Sequence, residues 1–118
     1  MLAPALTAHT DLHRHHVAVT VSGPLTTADH TDALREVCMP LPRTYGLIVN
    51  LSGVTVITDA GLRGLRQLAA AVHATGHRIA FVCSELIMRA ELVLADLDTL
   101  APVLQADEQA FPIVGYAA

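Results

Sequence analysis

The sequence predicts a single α/β domain, on three observations. Apolar runs of strand length alternate with segments of helical period along the chain. Hydrophobic residues make up 53% of the 118 residues and charged residues 15%, enough to fill one core and too apolar for a disordered chain. Gly23-Pro24, Pro40, Pro42 and Gly76 stand where one segment gives way to the next.

Each element follows in order. Residues 1–14 have weak periodicity and form either an N-terminal arm or a weak first strand; the domain proper is expected over 15–118. "HVAVTVSG" (16–23) alternates Val17, Val19 and Val21 on one face, a strand expected to end at Gly23-Pro24. Thr26 or Thr27 can cap the helix that follows, whose apolar stripe is Ala33, Leu34 and Val37 and which Pro40 and Pro42 stop. "GLIVNLSGVTVI" (46–57) is the strongest strand, because consecutive Leu47, Ile48 and Val49 mark burial on both faces. A helix over about 60–74 carries Leu62, Leu65, Leu68, Ala69 and Val72 at helical spacing, with Gly76 as its C-terminal cap. "RIAFVCS" (78–84) is a buried strand, "SELIMRAELVLADL" an amphipathic helix with Ser84 as its cap, and "TLAPVLQ" a short strand placed at an edge by Pro102. A last helix starts at Asp107 and is cut short by Pro112. The sum is a mixed sheet of four or five strands with helices packed against it.

Composition narrows the function. The formal net charge is -4 and aromatic residues are 3%, which argues against a nucleic-acid surface. The longest apolar stretch, "LAAAVHATGHRIAFVC", is interrupted by His73, His77 and Arg78, so no membrane insertion is expected. The N-terminus lacks a basic leader, and Cys38 and Cys83 form no CxxC pair. Both features fit a cytoplasmic protein with reduced, packed thiols.

The segment "VTVITDAGLRGL" (54–65) carries the site. Its turn, Thr58-Asp59-Ala60-Gly61, puts a carboxylate where the carboxyl end of a strand meets the positive end of a helix. Asp59 is expected to cap that helix by accepting hydrogen bonds from its first amides, a role worth about 1 kcal/mol. Thr58 is a second hydroxyl-bearing cap former and a substitute phosphate acceptor, with capping the favoured role. A phosphate-binding loop does not fit, since Gly61 and Gly64 lie within the helical pattern at no Walker or Rossmann spacing. A phosphoryl-accepting receiver domain does not fit either. All seven basic residues are Arg, so no Lys exists to neutralise a phosphoryl group, and no acidic pair ends an early strand to hold Mg²⁺.

"Asn50-Leu51-Ser52-Gly53-Val54" followed by "Thr58-Asp59-Ala60-Gly61-Leu62" resembles the core of STAS domains, the family of anti-sigma factor antagonists. "VAVTVSGPLTTADHTDAL" is similar to the family's second strand and first helix, and "ELIMRAELVLADLDTLAPVLQADEQAF" to its third helix and final strand, so the resemblance spans roughly residues 16–111. It implies a single STAS-type domain that binds an anti-sigma factor or anti-sigma kinase and thereby frees a sigma factor for transcription. It also implies that phosphorylation of a serine in the turn ends the capture. Asp59 stands at the place of that serine, with Thr58 replacing the preceding Asp and Ala60 the second Ser; a register shifted by one would place Ala60 there. Thr26 stands where the family has another Asp. On this resemblance Asp59 is expected to imitate part of the phosphorylated state, with one unit of charge against about -1.5 to -2 for a phosphate. Arg63, one turn on, is placed to offset it. The family analogy makes Thr26, Leu62, Arg63 and Arg66 partner contacts. STAS subunits of lipid-transport ABC systems also resemble the sequence at "Ala60-Gly61-Leu62", and such a subunit would bind an ATPase instead.

The remaining features point to no chemistry. His9, His13, His15 and His16 cluster without a carboxylate or Cys to complete a metal site, and His73 and His77 read as surface residues near a helix end. Cys83 reads as a buried mid-strand residue with no His close in sequence to activate it. Neither a catalytic constellation nor a cofactor loop is found, so a binding protein and not an enzyme is expected. Apolar strand edges suit a homodimer.

Overall fold

The computed structural model describes residues 6–12, 16–39, 46–106, 109–110 and 114. Its five strands form one mixed sheet in the order β1-β2-β3-β4-β5. β1 (Thr7–Leu12) runs antiparallel to β2 (His16–Leu25), while β2, β3 (Gly46–Ile57), β4 (Ile79–Val82) and β5 (Val103–Leu104) are parallel in turn. Helices α1 (Ala28–Cys38), α2 (Asp59–Ala74) and α3 (Leu86–Leu94) alternate with the strands, which gives the α/β class expected.

Alternation along the strands divides the core in two. Val17, Val19, Leu47, Val49, Ile79 and Phe81 face the three helices and meet Leu34, Leu65, Leu68, Val72 and Leu92. Ala18, Ile48, Ala80 and Val82 point to the other face, which Ala110 and Val114 cover. Strand residues on both faces are thus removed from water, and this is why Leu47–Val49 of β3 and Ile79–Val82 of β4 read as unbroken apolar runs.

Several boundaries differ from the sequence reading. β2 runs through Gly23 and Pro24 to Leu25, because two register shifts against β3 absorb the proline and let pairing continue to Ile57. In α1 the buried positions are Leu34 and Cys38 with Thr31 half-buried, whereas Ala33 and Val37 are exposed. Its cap is Thr27, whose hydroxyl accepts the His30 amide at 3.2 Å. α3 is not capped by Ser84: the Ser84 amide is held by Ser52 Oγ at 3.1 Å, and the helix starts beyond Glu85, which makes no side-chain cap. Arg89 instead reaches back to donate to the carbonyls of Cys83 and Ser84, at 2.9 and 3.0 Å. Cys83 lies just past β4 and is buried. α2 closes as expected at Gly76. With φ of 83° this glycine takes the left-handed position, donating to His73 O while His77 N–H donates to Val72 O. Gln109 and Ala110 are helical, while the expected cap Asp107 and the stops Pro112, Pro40 and Pro42 lie outside the described residues.

Candidate functional site

The junction of β3 and α2 lies beside the end of β2. The Thr58 amide donates to Leu25 O at 3.3 Å, so Thr58 still belongs to the β2–β3 ladder. Its hydroxyl then does two things. It donates to Thr26 O at 2.9 Å and accepts the Gly61 amide at 3.4 Å, which makes Thr58 the N-cap of α2. Thr26 is drawn into the same network, since its amide donates to His30 Nδ1 at 3.1 Å. Gly61 allows the close approach: a Cβ there would run into the Leu25 carbonyl.

This corrects the expectation for Asp59. The capping amide is taken by Thr58, and Asp59 is the first helical residue, with an exposed side chain that makes no hydrogen bond to the helix amides among the described residues. The reason is tertiary: the ladder to Leu25 ends at Thr58, so the chain turns helical one residue before a cap at 59 could form. Charge still suits the position, because a carboxylate in the first turn opposes the positive end of the helix dipole. Nor does Arg63 pair with Asp59 among the described residues; both side chains project into solvent. Ala60 is half-buried and Gly61 buried, while Leu62 packs partly against the core. Arg66 is exposed. Thr26, Thr58 and Gly61 are therefore joined by hydrogen bonds, and Asp59, Leu62, Arg63 and Arg66 share one shallow hollow of about 270 Å³ with Ala95.

The sequence predicts α3 only as an amphipathic helix and gives it no part in the site. β4 pairs with β3 only as far as Asn50, so on that side β3 from Thr55 to Ile57 has α3 beside it and not another strand. Two more hollows follow from that mismatch in strand length. One of about 340 Å³ is lined by Ile57, Asp59, Leu62, Glu91, Leu94 and Ala95. The other, of about 210 Å³, lies between Thr55–Ile57 and Glu85, Ile87, Met88 and Glu91. Leu86, Ile87 and Leu94 are 71%, 76% and 83% exposed, values far from those of a packed helix. The signal was present in "LIMRAELVL": it holds more apolar residues than one buried stripe of a nine-residue helix can use.

His9 and Asp11 form an exposed ion pair at 3.2 Å on β1, and His13 and His15 lie outside the described residues. His73 Nε2 donates to Leu100 O. No three His, Cys, Asp or Glu side chains converge as metal ligands among the described residues. Burial pushes the Cys38 thiol up to about 12. The Cys83 thiol is also raised, chiefly by burial, and it donates to the Glu85 carbonyl at 3.8 Å. Neither thiol is an activated nucleophile. No helix among the described residues is long and apolar enough to cross a membrane.

No protein-family model and no curated protein sequence matches the chain. Solved structures do share its fold. An anti-sigma factor antagonist from Mycobacterium paratuberculosis superposes with a TM-score of 0.77 at 22% identity, covering 93% of this chain and 94% of that one. For a putative anti-sigma factor antagonist from Thermotoga maritima the TM-score is 0.76 at 14% identity, with 91% and 93% covered. The STAS domain of a SulP transporter from Vibrio cholerae gives 0.65 at 19%, with 87% and 83% covered. The chain therefore has the mixed α/β fold of STAS domains and anti-sigma factor antagonists.

Proposed function

We propose that the chain is an anti-sigma factor antagonist, or a degenerate relative of one, which works by binding an anti-sigma factor and has no catalytic step of its own. The observation that carries this reading is the exposed β3–α2 turn with Asp59 presented outward beside an unpartnered apolar face. Its support is the fold shared with two such antagonists and the expectation, drawn from the resemblance at 50–62, that this turn faces the partner. In this reading Asp59 holds a permanent negative charge where relatives place a modifiable serine. Since its carboxylate is not spent on the helix amides, it acts on the partner. Thr58 is a poor phosphate acceptor because its hydroxyl is engaged on both sides, with Thr26 O and the Gly61 amide.

The test is titration calorimetry of the purified chain against anti-sigma factors from the same host. Wild type is expected to bind one of them weakly, Asp59→Ser more tightly, and phosphorylated Asp59→Ser as weakly as wild type. Equal affinity of Asp59→Ser before and after confirmed phosphorylation removes the imitation of phosphate. Absence of binding to every anti-sigma factor, together with binding to the ATPase subunit of a lipid-transport system, replaces the antagonist reading by the transport one.

A further inference from the structure

The three hollows beside the turn form one line. The hollow beside Thr55–Ile57 shares Ile57 and Glu91 with the one lined by Leu94, and that one shares Asp59, Leu62 and Ala95 with the hollow at Arg63 and Arg66. Charge is distributed unevenly along it. Glu85 and Glu91 flank the end near Thr55 together with the apolar Ile87, Leu62 and Leu94 line the middle, and Arg63 and Arg66 stand at the other end, where Asp59 offsets one of the two positive charges. Arg89, the nearest cation to the acidic end, is turned onto the carbonyls of Cys83 and Ser84. Exposed apolar residues contiguous on one helix and rimmed by charge are the mark of a docking surface.

We infer that this groove binds an apolar-faced helical segment of another protein that carries cations at the end meeting Glu85 and Glu91 and carboxylates at the end meeting Arg63 and Arg66. The inference rests on the proposed function and specifies the chemistry of the partner. A helix fits because the middle of the groove runs between α2 and α3, where Leu62 and Leu94 offer apolar side chains; only at the Thr55 end is one flank of β3 open. Opposite charges at the two ends fix its direction: reversing the segment would bring like charges together at both ends. Cations at the C-terminal end and carboxylates at the N-terminal end also suit the segment's own dipole. The chain's last described residue lies far off. Val114 sits against Gly46, about 36 Å along β3 from Ile57 at about 3.3 Å per residue.

The test uses the full chain and three synthetic amphipathic helical peptides with one leucine stripe: one with Glu at its N-terminal end and Arg at its C-terminal end, one with Glu at both ends, and one with Arg at both. Fluorescence anisotropy gives affinities and amide chemical shifts give the site. The mixed peptide is expected to bind about tenfold tighter than the Glu-ended one. Its shifts should centre on Ile57, Leu62, Ile87 and Leu94. Glu85→Arg with Glu91→Arg, checked for folding by circular dichroism, should invert the order so that the Glu-ended peptide binds tightest. Leu94→Gln should weaken all three. Equal affinities, an order unmoved by the double reversal, or shifts elsewhere overturn the inference. Self-association through these residues in sedimentation would assign the groove to a second copy, and shifts there on deleting residues 1–5 would assign it to the chain's own start; either result also overturns it. Should an anti-sigma factor bind wild type and the double reversal equally, the proposed function stands and only this partner chemistry fails. Discrimination among peptides without binding to any anti-sigma factor gives the opposite outcome.

Discussion

Thr58 and Asp59 are neighbours with similar capping ability, yet the fold gives them different work. Thr58 joins the β2 end to the α2 start through three hydrogen bonds, to Leu25 O, Thr26 O and the Gly61 amide. Asp59 faces solvent. Thr58→Ala, which removes the cap and the bond to Thr26, should cost about 1 kcal/mol in urea unfolding, whereas Asp59→Asn should leave the midpoint nearly unchanged. If the two variants behaved alike, the division of roles would be wrong. Sequence alone could not make this distinction. It places a cap former at the turn, but which of two adjacent ones serves depends on where the ladder between β2 and β3 stops, a contact between Thr58 and the sequence-distant Leu25.

At the scale of elements, what local pattern governs was legible and what packing governs was not. The periodicity of α2 and the doubly apolar β3 and β4 follow from their own residues, and so does the glycine that closes α2. The stripe of α1 was misread because its burial is set by the neighbour it crosses. Thr31 sits half-buried where it meets Gly64 of α2, and Val37, though more apolar, is left outside. The exposed face of α3 was missed for the converse reason: an apolar residue is read as core until coordinates show nothing on it. α2 itself approaches β2 so closely that Gly61 has no room for a methyl group. Gly61→Ala should therefore destabilise by about 1–3 kcal/mol, measurable as a lower thermal midpoint, and the obstacle is a backbone carbonyl that cannot rotate aside. A neutral outcome would mean that α2 can slide along the sheet without loss.

For the whole molecule, the alternation of strand and helix was enough to set the class, but the order of strands and the covering of both sheet faces needed coordinates. Burial has a chemical signature at Cys38. Its folded thiol is raised from 9.0 to about 12, so the neutral form is favoured in the native state. The stability this contributes is complete below pH 9 and declines as pH rises towards 12, because the unfolded chain loses its proton first. The slope can reach about 1.4 kcal/mol per pH unit. Urea unfolding across that range should show the decline in wild type and lose the Cys38-dependent part in Cys38→Ala; identical pH profiles for the two would contradict the burial argument. The central strand has a further property. From Leu47 to Asn50 it is flanked by β2 and β4, with side chains enclosed above and below; from Thr55 to Ile57 one flank lies open beside α3. Deuterium uptake should accordingly split a single strand, its first part exchanging only when the molecule opens globally and its last part on the timescale of local fraying. Occupation of the open flank by a bound segment would erase that difference.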